Sequence, residues 1–336
     1  MSDAADDPTA APRRVLLLAH TGRAEARDVA RAFLAGLTEH RLVVRLLAEE
    51  AVSLDLDDLP PASRAVVEVV DDEEHASADC ELTLVIGGDG SILRAAELTR
   101  DTGTPVLGVN LGHVGFLAEA EPEEVPDTIE AIVARRYVVE DRLALDVRAL
   151  HDGVELARTF ALNEASVEKA ARERMLEVVL EVDGRPLSRW GCDGVVCATP
   201  TGSTAYNFSA GGPVVWPGVE ALCVVPISAH ALFARPMVTG PDSVIAVELH
   251  GQAPGAGVLW CDGRRTTDLP PGARIEVRRH ERPVRLLRLH EAPFVDRLVA
   301  KFGLPVEGWR GAGERRRLRG EQELRLERGT EEVAAP

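Results

Sequence analysis

Three glycines in four residues, Gly87, Gly88 and Gly90, enclose one acid, Asp89, in the stretch LVIGGDGSIL from Leu84 to Leu93. Glycine lets backbone N–H groups come close to an anion, which is what a phosphate-binding turn requires. A carboxylate about 4 Å from a phosphate charge is repelled by roughly 4 kcal/mol at an effective dielectric of about 20, so Asp89 needs a use of its own. Two uses fit. The carboxylate can accept a proton from a hydroxyl that attacks a phosphoryl group. It can also help hold Mg²⁺, which cancels the repulsion. Both are phosphoryl-transfer chemistry. Hydride transfer would call for G-x-G-x-x-G and a later acid, and GGDGSI lacks that spacing.

Three further stretches place polar groups among apolar strands. LNEAS carries Asn163 and Glu164 after an apparent strand. An Asn side chain offers the donor and acceptor that match the N6/N7 edge of adenine, although Asn-Glu in a turn also serves structure alone. CDGVVCATPTGSTAYNFSAGGP supplies hydroxyls at Thr201, Ser203, Thr204, Tyr206 and Ser209, with Gly202 open to close backbone approach. Ser203 or a neighbour also suits a helix cap. NLGHVGFLAE adds a second glycine turn with Asn110 and His113, the histidine reading as structural.

These stretches need a frame to hold them. RVLLLAH, LVVRLL, LTLVI and TPVLGVN read as buried strands, and LTLVI ends at the glycine turn. Between them Ala26, Val29, Ala30, Phe33, Leu34 and Leu37 recur at helical spacing, and SILRAAELTR continues as a helix. Residues 50–80 are acidic and read as loop. Such alternation predicts a Rossmann-like parallel sheet with helices on both faces, and ligands bind these sheets at the carboxyl ends of strands. From about residue 142 the pattern changes to short strands, among them RLALDVRAL, VELARTFALNEASV, MLEVVLEVDGRPL, GVVCATP, ALCVVPI, SVIAVELH, GVLWC and ARIEVRR. The expected organisation is a disordered start over 1–12, an α/β domain over 13–142 and a mostly antiparallel β-rich domain over 143–283. A return segment over 284–310, including the helix FVDRLVAKFG, is expected to pack on the α/β domain. The stretch 311–336 holds six Arg and six Glu with few large apolar residues, the composition of a disordered tail.

Bulk properties narrow the chemistry. The net charge of −17 argues against a nucleic-acid surface, so an anionic ligand must be held by local groups. The five cysteines are odd in number with no CxxC pair, which reads as buried reduced thiols rather than zinc ligands or disulfides. The N-terminus lacks the apolar run of a signal peptide, and no stretch reaches membrane-spanning length. A cytoplasmic protein without a membrane partner is expected.

GGDGS, NE and D-G-V-V-C-A-T-P-T-G-S-T-A-Y, in that order, closely resemble the NAD kinase family. The likeness runs from about Val15 to Gly308. GGDG alone also occurs in lipid kinases and 6-phosphofructokinases; its combination with NE and TPTGSTAY is far more specific. The resemblance implies an α/β domain followed by a β-rich one. It implies transfer of the terminal phosphoryl of ATP, or of inorganic polyphosphate, to the 2′-hydroxyl of the adenosine ribose of NAD, with a divalent cation such as Mg²⁺. It makes Asp89 the general base, with Gly87, Gly88 and Gly90 facing phosphates beside Arg94. Asn163 and Glu164 are implied to contact the adenosine half of NAD, with Arg174 and Asp193 as further contacts. Thr201 and the run Thr204, Ala205, Tyr206, Asn207, Phe208 and Ser209 are implied to line the dinucleotide pocket. A homo-oligomer, dimer or tetramer, is implied as well, in which the Asp193 position reaches the pocket of an adjacent subunit. Ser91 stands where Thr is common, and Ala234 where Asn is frequent before Arg-Pro. High Arg and Ala with few Lys resembles a chain from a GC-rich genome, as in actinobacteria. The rivals are a lipid kinase, which should show a basic or apolar membrane-facing patch, an oxidoreductase, and a non-catalytic NAD-sensing module, which would tolerate loss of Asp89.

Overall fold

The computed structural model describes residues 12–112, 115–171, 174–250, 256–290 and 293–306. The chain divides into two compact units, Met1–Glu291 and Ala292–Pro336.

The first sheet of the larger unit has seven strands. From one edge they run Val67–Val70, Val43–Leu47, Arg14–Ala19, Leu82–Ile86, Val106–Val109, Val284–Arg288 and Val138–Arg142. All neighbours are parallel except the last pair. The central strand Leu82–Ile86 is buried at every position, as a strand covered on both faces must be. Helices Ala24–Glu39 and Val125–Val133 cover one face, where Phe33, Leu34 and Leu37 are fully buried. Each such side chain contributes about 1.5–3 kcal/mol through apolar area removed from water. The other face takes the helix Asp89–Leu98, and Ile92 and Leu93 pack there with Phe160 and Leu162 of the β-rich part. This shared cluster fixes the glycine turn against the β-rich part.

The β-rich part is two six-stranded antiparallel sheets. One runs Arg185–Cys192, Leu176–Val182, Ile245–Leu249, Arg274–Arg279, Leu145–His151 and Val154–Ala161; the other runs Met237–Thr239, Leu222–Ile227, Gly194–Ala198, Glu164–Lys169, Gly257–Cys261 and Arg265–Leu269. One core, including Val147, Val167, Val178, Trp190, Val195 and Leu259, is built from both.

Two expectations change. Residues 50–80 are not simply loop: they hold the strand Val67–Val70, whose one acid, Glu68, bonds Arg14 and Arg45 of neighbouring strands. VELARTFALNEASV is two strands, Val154–Ala161 and Glu164–Lys169, in different sheets. The chain crosses between the sheets at Leu162–Asn163, and alternation within each strand hid the break. Val284–Arg288 joins the first sheet between Val106–Val109 and Val138–Arg142. In the second unit the expected helix is present as Phe294–Phe302, ending at Gly303 in the left-handed region with φ 58°. The start up to residue 11 and the tail 311–336 lie outside the described residues, as does His113.

Candidate active site

A cleft of about 680 Å³ opens at the carboxyl ends of Arg14–Ala19 and Leu82–Ile86. Its walls are the turn His20–Arg23, then Gly87, Gly88, Gly90 and Ser91 with Leu93 and Arg94, the pair Asn110–Leu111, and the turn Asp262–Arg264 from the β-rich part; Asp89 lies between wall residues but is not itself part of the lining. Gly88 and Gly90 face open space: a Cβ on either would meet no atom within 4 Å. That is the surface on which a ligand can approach the backbone. Gly87 is instead required by packing, since a Cβ there would lie 2.4 Å from Ser91 Oγ.

Asp89 is the first residue of the helix Asp89–Leu98. Its Oδ2 accepts the Phe116 N–H at 3.2 Å and its Oδ1 the Leu117 N–H at 3.1 Å. Gly115 makes this contact sterically possible, for a Cβ there would sit 2.6 Å from Asp89 Oδ1. The carboxylate is thus held in one orientation, and each oxygen keeps a further lone pair for a ligand proton. Arg94, one turn along the same helix, lines the cleft. Its Nη1 donates to Glu50 Oε1 at 3.1 Å and its Nη2 to Glu73 Oε1 at 3.0 Å. Burial pushes the Glu50 carboxyl up, against the pull of Arg94.

The NE and TPTGST stretches meet. Thr199 Oγ1 donates to Leu162 O at 2.6 Å and accepts the Gly202 N–H at 3.0 Å, and Thr199 N–H donates to Asn163 O at 2.9 Å. A Cβ on Gly202 would lie 2.0 Å from Asn163 O. Glu164 is 7% exposed, and its Oε2 has no partner within the described residues. Burial first, and then the neighbouring Asp262 carboxylate, push the Glu164 carboxyl up to about 8, although it accepts the Tyr206 backbone N–H. The Tyr206 hydroxyl bonds Glu168, and its ring lies within the field of Glu164 and Asp193. Asp193 pairs with Lys169, whose ammonium holds its carboxyl below the usual range. Thr201 is buried, while Thr204 and Ala205 are half-buried and Tyr206, Phe208 and Ser209 are exposed. Two members of the run turn inward. Ser203 Oγ accepts Val215 N–H and donates to Val215 O, and Asn207 Nδ2 donates to Ser203 O and Pro213 O. The Asn207 amide nitrogen is thus engaged by the chain itself, while its buried Oδ1 has no partner among the described residues. Arg174 is exposed, just before Leu176, which pairs with Cys192 next to Asp193.

Asp262 joins the two halves and was not singled out from sequence. Its buried carboxylate accepts the N–H groups of Leu162, Asn163 and Glu164 at 2.9, 2.7 and 3.3 Å, plus Arg265 Nη2 at 2.8 Å. Arg264 and Arg265 in turn pair with Glu97, on the helix that Asp89 begins. The available signal is the Asp-Gly step at the end of the apolar strand Gly257–Cys261, which marks a turn and nothing more. Arg23 and Arg264 were likewise missed, because single arginines in turns carry no periodic signal.

Among the described residues, the one group of three or more metal-ligating side chains is exposed Asp72, Glu74 and His75. Among the described residues the cleft has no all-protein cage for a divalent ion. Its one lining carboxylate, Asp262, is already engaged by three backbone N–H groups and Arg265, and that donor set fits an ion carried mainly on ligand phosphates and water.

Glu164 makes a measurable statement about stability. Its folded value lies above its unfolded one, so folded and unfolded chains are both protonated below about pH 4 and the group is silent there. Between that point and about pH 8 the folded protein keeps a proton that the unfolded chain has released, so stability falls as pH rises. Glu164→Gln is expected to melt several degrees above wild type at pH 8.5 and to converge with it near pH 4.5. Parallel melting curves across that range would remove the assignment.

The sequence matches the model of the ATP-NAD kinase N-terminal domain over residues 15–137 and that of the ATP-NAD kinase C-terminal domain over residues 162–289. It is 58% identical over 308 residues to an NAD kinase of Thermobifida fusca, covering 90% of this chain and 93% of that one. It is 53% identical over 305 residues to an NAD kinase of Mycobacterium bovis, covering 90% and 99%. The fold superposes on a yeast NADH kinase complexed with NADH with a TM-score of 0.81 at 23% identity, covering 89% of this chain and 90% of that one. An NAD kinase from Archaeoglobus fulgidus in complex with ATP aligns with a TM-score of 0.61 at 25% identity, covering 86% and 98%. With both domain models matched in order, and relatives above half identity over nine-tenths of its length, the chain belongs to the NAD kinase family.

Proposed function

We propose that the cleft brings ATP and NAD together and moves the terminal phosphoryl of ATP to the 2′-hydroxyl of the adenosine ribose, giving NADP. The observation that carries this is the junction at Asp262: one carboxylate lines the phosphate-type cleft and also fixes the NE turn where a nucleoside would be read. Asn163 and Glu164 then hold the adenosine half, with Thr201 and the segment from Thr204 to Ser209 around it. The open backbone of Gly88 and Gly90, with Arg94, faces the donor phosphates.

In the reaction the 2′-oxygen forms its bond to the terminal phosphorus as the bond to the bridging β–γ oxygen breaks, and ADP leaves. Asp89 accepts the hydroxyl proton and passes it to solvent. The two backbone N–H groups on its oxygens keep it from rotating away as charge develops. A divalent cation entering on the donor's phosphates supplies charge neutralisation there.

The reading is tested by supplying the purified chain with NAD, Mg²⁺ and either ATP or inorganic polyphosphate, with diacylglycerol as a rival acceptor. NADP should form with ATP. Phosphorylation of the lipid instead would replace the reading with the rival one. Asn163→Ala should weaken NAD binding by about 1–3 kcal/mol, the cost of leaving buried polar atoms of a ligand unpaired. Unchanged NAD affinity by calorimetry in a folded variant would remove that contact.

We also propose a cytoplasmic homo-oligomer. No described helix is long and apolar enough to cross a membrane. Several apolar side chains of the β-rich part are exposed, including Trp216, Val219, Phe233 and Val238, and a neighbouring copy is a natural cover for them. If Asp193 completes a neighbour's site, mixing Asp89→Asn with Asp193→Ala subunits recovers activity that neither has alone. Mixed oligomers verified by tagged copies, with no recovery, would exclude a shared site.

A further inference from the structure

Arg94 is held by two carboxylates of opposite character. Glu50 is 1% exposed in its side chain and Glu73 is 61% exposed. Glu50 accepts from Nη1 with Oε1, while its Oε2 is buried without a partner, so removing the guanidinium would strand a buried acid. Glu73 reaches Nη2 from the loop before Leu82 and is hydrated on its outer side; losing that contact costs it little. Arg94 itself faces the cleft, whereas neither acid lines it.

We propose that Glu73 is an intramolecular competitor for the donor: it occupies Arg94 in the free protein and is displaced when a phosphate of the donor arrives, while Glu50 remains as the fixed anchor. A guanidinium has five N–H donors, and these two bonds engage two of them, so a phosphate can be admitted before Glu73 has left. Once both anions share one guanidinium their mutual repulsion expels the exposed one, because only Glu73 can exchange its bond for water. Glu50 acts as a positioning residue. It keeps the guanidinium at the cleft wall through the exchange, so that Arg94 does not have to be ordered at the moment of binding. The inference deepens the assignment of the cleft to a phosphoryl donor and rests on it.

The test uses the full chain and inorganic triphosphate as probe, by calorimetry at low ionic strength, where exposed charge pairs are least screened. Glu73→Gln should bind triphosphate about two- to fivefold more tightly than wild type, the range that loss of one exposed ion pair allows. In turnover the change should appear in KM for ATP and not in kcat. In an Arg94→Ala background the same substitution should have no effect on triphosphate affinity. Unchanged or weaker binding by Glu73→Gln overturns the proposal. Equal tightening in the Arg94→Ala background also overturns it, since the effect would then be that of net charge. A wild-type chain that phosphorylates NAD while Glu73→Gln binds triphosphate normally removes the exchange alone. A chain inactive on NAD with ATP removes the donor reading and the exchange with it.

Discussion

Asp89→Asn lowers turnover on NAD by about 10²–10⁴, the usual range for loss of a general base. The substitution is nearly isosteric. One amide oxygen can still accept a backbone N–H from Phe116 or Leu117, so the helix start and the glycine turn should survive. The amide has no capacity to take the hydroxyl proton at neutral pH. NAD affinity should stay level or rise, because one carboxylate is removed from a site meant for phosphates. The contrast between kcat and NAD binding, read by steady-state kinetics and calorimetry on one preparation, separates a chemical role from a structural one. Near-normal turnover in a folded variant would withdraw the assignment.

Gly202→Ala is expected to damage the junction of the NE and TPTGST stretches as severely. The added Cβ would press on Asn163 O at 2.0 Å, on its carbonyl carbon at 2.4 Å and on its Cα at 2.7 Å. All three are backbone atoms, already pinned from the other side by Asp262 and from above by Thr199. None can turn aside as a side-chain end can, and forced overpacking of this kind typically costs about 1–3 kcal/mol or more. The variant should melt several degrees lower and bind NAD at least tenfold more weakly. Gly90→Ala is the informative contrast. No atom lies within 4 Å of its would-be Cβ, so it should fold with a normal Tm and lose affinity for the donor alone. A Gly202→Ala protein with normal melting and normal NAD binding would show that the two turns do not depend on their close fit.

The frame of the molecule was legible from sequence where burial dictates pattern. Leu82–Ile86 is covered on both faces and reads as a continuous apolar run; the helix Ala24–Glu39 buries one stripe and reads at helical spacing. The edge strand Val67–Val70 was not legible, because half its surface is exposed and its acid is satisfied by arginines on strands that are distant in sequence. Within the site, GGDG and TPTGST were legible as close-approach glycines. Asp262 was not, since its meaning lies in three backbone N–H groups about a hundred residues earlier, and no local pattern records such a partner. Arg94 was read as a cation for phosphate; its two acidic partners come from other segments and appear only when the chain is folded. Ser203 shows the converse, a polar residue in a ligand-like stretch whose bonds hold the stretch itself together.

In the proposed reaction Asp89 directs the 2′-hydroxyl of the adenosine ribose at the donor's terminal phosphorus. The most direct measurement is the position of the new phosphate on the product, determined by phosphorus NMR of the dinucleotide made by wild type and by Asp89→Asn from NAD and ATP. A single 2′-phosphate is expected from the wild type and, over the same time, almost none from the variant. A phosphate on any other oxygen, or a 2′-phosphate formed equally fast by both proteins, would contradict it.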